Sequence, residues 1–415
     1  MRHLSAACLV AALCACDNET EITRPSEALT QVTPEPHYRV EIIESTLGGT
    51  LSRGSGINNR GWIAGFSNLA GNATLHAALW RDGAISDLGT LGGLGSRVPW
   101  PGINNGGMVV GISQTAELDP LGEDWSCEGG FFLPATNPRQ VCRGFWWEHG
   151  VMHPLPTLGG THGFAAGVNN RGQVVGWAET AVHDPTCTGV QVLQFRAVMW
   201  EPKKGRTQEL PPLPGDSASS AVGINERGQA VGNSGDCDQA VGRFTAKSSV
   251  IWEHGIPRKI PDLGGVTWHT PQDINEAGDV VGFSNPPGEN PVGTFIAHAF
   301  LWKYGSETAI DLGTLPDNIL SQGQALNSRG QVVGVAFGGT GGTRAFLWED
   351  GVMRDLNALV GPGFGLGQPY RLVSARDIND AGVITGDVFE AATGLTVAFR
   401  ATPVAAPLVT AHRAR

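Results

Sequence analysis

One short phrase occurs seven times in this chain. Each copy reads as an apolar residue, Asn, two variable positions, Gly, an apolar pair and a second Gly, as in GVNNRGQVVG (Gly167–Gly176) and ALNSRGQVVG (Ala325–Gly334). Successive copies lie about 50 residues apart, and a period of this length is typical of repeat architectures. The phrase therefore predicts an array of similar units rather than a fold built around one central core.

A second motif, ending in Trp, precedes most copies of the phrase. HAFLW ends at Trp302 and RAFLW at Trp348, and each is followed by a short turn and then a segment such as DLGTLGG (Asp87–Gly93). One unit thus contains four predicted strands: a (AFLW), b (DL), c (up to the I-N pair) and d (the apolar pair and second Gly of the phrase). Four short antiparallel strands per period predict a β-propeller blade, and 59 glycines with 16% charged residues suit an all-β fold.

The N-x-x-G segment is predicted to be the turn between strands c and d. Asn favours the first turn position because its side chain can accept backbone hydrogen bonds, and Gly tolerates the left-handed conformation that follows. A ring of ligand contacts is the alternative function for these asparagines, and we favour the structural one. The predicted turn residues are Asn58, Gly61, Asn104, Gly107, Asn169, Gly172, Asn225, Gly228, Asn275, Gly278, Asn327, Gly330, Asn379 and Gly382.

The tryptophans that end strand a admit two interpretations. A ring at the same place in each apolar strand suits packing between blades, whereas exposed rings would suit stacking on sugars. We favour packing, and expect truncation of Trp252 or Trp302 to destabilise the fold.

Both ends of the repeat region contribute to closing the ring. The segment Tyr38–Gly49 resembles strand b but has no strand a before it, and VAFRA (Val397–Ala401) resembles a strand a with nothing after it. Joining the two gives a seven-bladed β-propeller over residues 38–402, with the first blade shared by both termini and a tail at 403–415. Such closure removes open sheet edges.

The N-terminus resembles a targeting segment. Residues 1–15 have a short positive region and an apolar core of signal-peptide length, and Leu13-Cys14-Ala15-Cys16 resembles a bacterial lipobox. We predict lipidation of Cys16, a flexible polar linker over 16–37, and a periplasmic or extracellular protein that contacts the membrane only through its lipid. An ordinary secretory signal is the alternative. No later apolar run approaches the roughly 20 residues that span a bilayer.

Four cysteines lie beyond this segment, as expected for disulfides in an exported chain. We predict the pairs Cys127–Cys142 and Cys187–Cys237, the second tying neighbouring insertions together. A metal site is the alternative, but no C-x-x-C pair or matching histidine spacing supports it.

The order HAFLW, DLGTLGG, I-N-x-x-G-x-V-V-G resembles the bacterial HAF-repeat family, named after the three residues that this chain has at His298, Ala299 and Phe300. The resemblance covers about residues 38 to 401 and implies an extracellular repeat protein. It implies no particular biochemical activity.

The variable loops between strands d and a are the candidate functional surface, since binding residues concentrate on loops held by a rigid scaffold. The longest insertions lie within 113–143, 178–194 and 233–247. Within the first, Glu117, Asp119, Glu123 and Asp124 could hold Ca²⁺ through carboxylate oxygens, or form a solvated loop; we favour the latter and predict no required cofactor.

Two functions remain open. One is a monomeric binding module at the cell envelope that takes a protein or glycan on the long-loop face. The other is a propeller hydrolase or lyase acting on polysaccharide, with its site in the central funnel. No G-x-S-x-G, H-E-x-x-H, P-loop or Rossmann motif favours an enzyme, and a net charge of −11 disfavours nucleic acid.

Overall fold

The computed structural model describes residues 37–123, 127, 131–132, 139–237, 242–288, 293–361 and 369–404. Their strands form seven four-stranded antiparallel sheets arranged in a ring, which confirms the predicted seven-bladed β-propeller. The predicted signal peptide, the lipidation site Cys16 and nearly all of the linker and tail lie outside the described residues. Within those residues, no helix is long and apolar enough to cross a membrane.

Each blade contains strands c, d, a and b, in order from the channel outward. Blade 1 contains β2 (Gly48–Ile57), β3 (Ile63–Leu69), β4 (Leu75–Arg81) and β5 (Ala84–Asp87). Blade 2 contains β6 (Gly92–Arg97), β7 (Val109–Leu118), β8 (Gln140–Glu148) and β9 (Val151–Pro154). Blade 3 contains β10 (Gly159–Val168), β11 (Val174–His183), β12 (Leu193–Glu201) and β13 (Arg206–Leu210). Blade 4 contains β14 (Ala218–Ile224), β15 (Ala230–Gly235), β16 (Ser248–Glu253) and β17 (Ile256–Lys259).

The later blades follow the same order. Blade 5 contains β18 (Thr270–Ile274), β19 (Val280–Ser284), β20 (His298–Trp302) and β21 (Ile310–Asp311). Blade 6 contains β22 (Leu320–Leu326), β23 (Val332–Phe337), β24 (Arg344–Glu349) and β25 (Val352–Asp355). Blade 7 contains β26 (Tyr370–Ile378), β27 (Ile384–Glu390), β28 (Leu395–Val404) and, from the N-terminus, β1 (His37–Ile43). Two short 3-10 helices lie at Pro202–Lys204 and Thr245–Lys247.

The termini close the ring through the pairing of β1 with β28. Seven residue pairs run from His37 opposite Val404 to Ile43 opposite Ala398. The sheet therefore includes two residues that the sequence assigned to the C-terminal tail, and it begins one residue before the predicted start. Pairing of the predicted strands b and a at this seam is as expected.

The grouping of strands into blades differs from the sequence repeat. The repeat reads a, b, c, d, whereas a blade reads c, d, a, b, so the strand c after β1 begins blade 1 and does not belong to the shared blade. Strand c is innermost because small residues suit the crowded axis. A Cβ atom at Gly56 would lie 2.9 Å from Cα of Pro101 in the next blade.

The hydrophobic core lies between the blades rather than at the channel axis. Trp252 packs with Val175 and Leu210 of blade 3, and Trp80 packs with Ile43 and Ala398 of blade 7. Five of the six strand-a tryptophans are buried, and Trp348 is half-buried. The packing interpretation of the tryptophans is confirmed. Apolar burial between neighbouring sheets therefore holds the ring together.

The meander gives the propeller two unlike faces. The a–b and c–d turns lie on one face, which we call the turn face. The b–c bends and the d–a loops lie on the other, which we call the loop face.

Candidate functional site

The predicted N-x-x-G residues lie in the seven c–d turns. In every turn the Asn Oδ1 accepts a hydrogen bond from the backbone N–H four residues on, as Asn58 does from Trp62 at 3.0 Å. The seven turn glycines have φ between 74° and 89°, the left-handed region that favours Gly. The backbone of each turn thus explains both the Asn, whose Oδ1 accepts a hydrogen bond there, and the Gly, which adopts positive φ.

The other half of each Asn amide crosses to the next blade. Asn58 Nδ2 donates to the carbonyl oxygen of Asn104 at 3.0 Å, and the same contact repeats around the ring at 2.9–3.3 Å. The last bond, from Asn379 to Asn58 at 3.0 Å, joins blade 7 to blade 1 and lies within the range of the other six. Seven side chains therefore form a closed circle of interblade hydrogen bonds.

This circle explains why the repeat uses Asn and never Asp. A carboxylate could accept the turn's backbone N–H, but it has no donor for the neighbouring carbonyl. The sequence pattern predicts the turn, but the interblade bond was not predicted. The invariance of Asn among turn formers that include Asp and Ser was the signal that could have revealed it.

Exposed residues one position later form a second, partial circle. Asn59 N donates to Asn105 Oδ1 at 2.8 Å, and Asp380 N donates to Asn59 Oδ1 at 3.0 Å. Six of the seven steps have such a bond, through Asn, Glu or Asp side chains. The side chain at this position needs only to accept a hydrogen bond, so Asn, Glu and Asp all serve and the residue varies between repeats.

The channel is acidic where it approaches the turn face. A cavity of about 190 Å³ there is lined by the turns and by Asp273 and Asp377. Each carboxylate accepts a backbone N–H from the next blade, from Leu326 at 3.1 Å and from Ile57 at 2.6 Å. Burial, with the nearby charge of Asp377, raises the pKa of Asp273 to about 8, and burial raises that of Asp377 to about 7.

The channel is basic where it approaches the loop face. A cavity of about 270 Å³ there is lined by Arg53, Arg97 and Arg376, with no described Asp or Glu in its wall. We call this cavity the arginine mouth. Pro101 and Gln272 line both cavities, so the two belong to one central channel.

Two of the three guanidinium groups share one carboxylate. Asp387 accepts from Arg53 Nε at 3.0 Å and from Arg376 Nε at 3.1 Å, and its side chain is only 3% exposed. The two arginine side chains remain 27% and 24% exposed, facing the cavity they line. Asp387 thus positions both cations while about a quarter of each arginine side chain stays exposed.

Arg97 is held differently. Its guanidinium carbon lies 4.0 Å from the centroid of the Phe66 ring, and Nη1 donates to the carbonyl oxygen of Phe131 at 2.8 Å. Its Nε is buried and has no hydrogen-bond partner among the described residues. Burial and repulsion from Arg53 and Arg376 lower the pKa of Arg97 to about 9, which leaves it charged at neutral pH.

Uncharged polar and aromatic groups complete the arginine mouth. Trp100 contacts Phe131 edge-on with ring centroids 5.8 Å apart, and its Nε1 donates to Gln272 Oε1 at 3.0 Å. Gln322 and Gln324 also line the cavity. The mouth therefore combines cations, amides and aromatic edges in one concavity, the composition of a binding pocket for a small polar group.

These arginines were not predicted from the sequence, although alignment of the repeats could have indicated one of them. Three residues before the turn Asn, the seven copies have Ser55, Pro101, Ala166, Val222, Gln272, Gln324 and Arg376. Charge appears in only one copy, and this inner-strand position faces the channel. A departure from the repeat at such a position marks a candidate functional residue.

The four cysteines form the predicted pairs, Cys127–Cys142 and Cys187–Cys237. The second disulfide joins the d–a loops of blades 3 and 4. The insertions are partly extensions of strands, since β7 continues to Leu118 and β11 to His183. The loop face of blades 2 and 3 is therefore raised on long hairpins, and Cys187–Cys237 ties blade 3 to blade 4.

The acidic residues proposed for Ca²⁺ separate in the structure. Glu117 lies 3.9 Å from Arg143, and Asp124 lies outside the described residues. Asp119 and Glu123 join His162 in a buried group whose ligand atoms lie within 4.8 Å of one another and could hold a metal.

The hydrogen bonding of this group restricts what it could bind. Asp119 Oδ2 accepts from Glu123 N, and Glu123 Oε1 accepts from Val192 N and Leu193 N at 2.6 Å each. His162 Nδ1 accepts from Cys142 N at 3.1 Å, so the neutral ring carries its proton on Nε2. An imidazole ligates a metal through a lone pair, which Nε2 lacks in this tautomer.

Comparisons with known proteins extend only to the fold. No family model and no curated protein matches the chain. The β-propeller domain of the Trilobed protease from Pyrococcus furiosus, which has an open velcro topology, aligns with a TM-score of 0.47 and 10% identity, over 85% of this chain and 93% of that one.

Two peptidases also align. Pyrococcus horikoshii acylaminoacyl peptidase gives a TM-score of 0.45 at 10% identity, over 84% of this chain and 51% of that one. Porphyromonas gingivalis dipeptidyl peptidase 4 gives 0.39 at 10% identity, over 85% and 52%. This chain thus spans about half the length of these two peptidases.

Proposed function

We propose that this protein is an exported binding module of the bacterial cell envelope that takes its ligand in the arginine mouth, on the loop face. The observation that carries the proposal is the convergence of Arg53, Arg97 and Arg376 on one concavity. Charged groups gathered at one end of a rigid channel attract and orient a ligand. The HAF-like repeat order is consistent with an extracellular role.

The shape of the loop face supports the same function. The hairpins of blades 2 and 3 extend beyond the ring, and Cys187–Cys237 fixes the loop of blade 3 to that of blade 4. A braced surface binds with less loss of conformational freedom than a loose one. The tight turns of the opposite face offer no comparable concavity with free cations among the described residues.

A hydrolase or lyase is less well supported. Such chemistry needs a general acid or base within reach of the substrate. Among the described residues that line the arginine mouth there is no His, Tyr, Lys, Asp or Glu, and Asp387 is already bound by two arginines. The converging arginines can bind a substrate, but the carboxylate pair of the channel, Asp273 and Asp377, lies at its other end, and each of these carboxylates already accepts a backbone N–H.

The proposed location rests on the cysteines and on the N-terminal segment. Disulfides persist in oxidising compartments such as the periplasm and the cell surface, and the lipobox-like sequence would place a lipid on Cys16. Expression of the full chain and of Cys16→Ser, followed by membrane fractionation, tests this. Loss of membrane association in Cys16→Ser supports the lipid tether; unchanged association contradicts it.

Binding and turnover should be measured together on the purified protein against a panel of glycans and peptides. We expect binding without turnover, weakened by Trp100→Ala or Gln322→Ala in the arginine mouth. Tyr304→Ala, on an a–b turn of the turn face, is the matched control. Binding that is lost in Tyr304→Ala and kept in both mouth variants would contradict the proposed surface, and turnover would favour the enzyme.

A further inference from the structure

We infer that the arginine mouth recognises the carboxylate of an acidic sugar, so that the ligand is a uronic-acid-containing glycan. This inference rests on the proposed function and specifies the ligand class of the same site. It requires three features: uncompensated positive charge, groups that match sugar hydroxyls, and space for a single ring.

The positive charge of the mouth is not neutralised by its surroundings. Three arginines line it and one carboxylate, Asp387, contacts two of them, so this group of four side chains has a net formal charge of +2. The whole chain has a net charge of −11. A local excess of cations costs repulsion: burial chiefly lowers the pKa of Arg97, and repulsion from Arg53 and Arg376 lowers it further. An anionic ligand would relieve that repulsion.

Arg97 is placed to respond to such a ligand. Its Nη1 is bound to Phe131 and its ring contact with Phe66 fixes the plane of the guanidinium. Among the described residues, its buried Nε and the hydroxyl of Ser55, which also lines the mouth, have no hydrogen-bond partner. Unpartnered buried polar atoms are costly, and guanidinium groups favour the paired oxygens of a carboxylate.

The uncharged groups favour a sugar over an acidic peptide. Gln272, Gln322 and Gln324 present amides from adjacent inner strands, and an amide both donates and accepts, as sugar hydroxyls do. Trp100 and Phe131 add apolar edges that suit the carbon face of a ring. A cavity of about 270 Å³ is below the range of roughly 300–1,000 Å³ for drug-sized ligands, which suits one residue of a longer chain.

The chain itself supplies the test substitution. Arg376 occupies the position where the two preceding blades have Gln272 and Gln324, so Arg376→Gln places a residue that the fold already accepts there. Arg97→Gln is the second variant, since it breaks no ion pair with Asp387. Arg258→Gln, on an exposed outer strand and paired with Glu253, removes the same charge away from the channel.

The probes are oligogalacturonate, its fully methyl-esterified form, a glutamate-rich peptide and sodium sulfate, each titrated by calorimetry into the purified protein. The ester keeps every ring hydroxyl and removes only the charge. We expect oligogalacturonate to bind at least tenfold more tightly than its ester, and to weaken as salt rises. Arg376→Gln and Arg97→Gln should each weaken it at least tenfold, with Arg258→Gln unchanged and all variants folded by circular dichroism.

Each other result contradicts the inference in a recognisable way. Equal binding of the acid and its ester would leave the glycan-binding function intact and remove the carboxylate site. Binding of the peptide or of sulfate alone would keep a binding module and reject the sugar class. Binding that survives both mouth substitutions would place the ligand elsewhere, and no binding of any probe would reject the acidic-glycan ligand.

Discussion

The two faces of the propeller use the same seven blades in opposite ways. On the turn face every blade contributes the same Asn and Gly, and the amides of Asn58 and its six counterparts form one closed circle. On the loop face the blades differ: some carry disulfide-braced hairpins, and the arginines that line the mouth, as far as the chain is described, come from blades 1, 2 and 7. Residues shared by all repeats hold the ring together, whereas the three arginines that depart from the repeat give the loop face its positive charge.

The largest effect should come from a residue that both faces depend on. Trp252 is 1% exposed, and its Nε1 donates to Pro211 O at 2.7 Å in the preceding blade. Trp252→Ala should lower the free energy of unfolding by about 3–5 kcal/mol in guanidinium titrations, since a buried ring is lost. Ile256→Ala, at a residue 66% exposed, should change it by less than about 0.5 kcal/mol. Similar losses in both variants would mean that the blades do not pack through their tryptophans.

The second-largest loss of stability should come from removing the disulfide Cys187–Cys237, which braces the loop face. Cys187 and Cys237 close a loop of 50 residues, and replacing both by Ala should cost about 2–4 kcal/mol, chiefly because the unfolded chain gains freedom. Denaturant midpoints of the oxidised wild type and the double variant measure this. Reduced wild type should resemble the double variant more closely than oxidised wild type does. An unchanged midpoint would show that the loop face is stable without its brace.

The circle of interblade hydrogen bonds on the turn face can be tested by making the same Asn→Asp substitution at each of two adjacent positions. Asn169 Nδ2 donates to Asn225 O at 3.0 Å, whereas the side chain of Asn170 is needed only as an acceptor for Asn105 N. Asn169→Asp should lower the free energy of unfolding by about 1–3 kcal/mol, because it removes the donor and buries a charge beside a carbonyl. Asn170→Asp should cost less than about 0.5 kcal/mol. Equal costs would argue against the interblade bond.

The remaining prediction is a pH dependence at the acidic end of the channel, which is measured as a slope rather than as a single loss of stability. The pKa values of Asp273 and Asp377, about 8 and about 7, lie above the ordinary value near 3.9. The folded state therefore holds these protons more tightly, and their contribution to stability is full below pH 4 and is lost as pH rises through about 7 and 8. Asp273→Ala, which introduces the residue found at Ala325, should flatten the fall in Tm between pH 5 and 8.5. Exposed Glu307→Ala should leave that slope unchanged.

Much of the fold could be predicted because it repeats. The number of blades, the c–d turns, the buried tryptophans and the closing strands all follow from patterns that occur many times. The position of strand c as the innermost strand could not be predicted in this way, because a circular repeat has no natural first strand. Crowding near the axis, as at Gly56, determines which strand is innermost.

The candidate site was harder to predict because its residues depart from the repeat pattern, each in a single blade. Arg53, Arg97 and Arg376 are separated by up to six blades in sequence order, and only ring closure brings blade 7 beside blade 1. Asp387 could not be identified as the shared partner of Arg53 and Arg376 without the register of β27. Similarly, His162 joins Asp119 and Glu123 through a hairpin insertion whose path no motif specifies.

The seam between β1 and β28 has a consequence for how this protein is made. Glu41 and Arg400, which pair across it, are 359 positions apart in the chain. Among the described strands, β1 is therefore synthesised first and paired last, and its edge stays unpaired while six complete blades form. Synthesis of this chain must therefore keep an early strand out of foreign sheets until its partner strand is available.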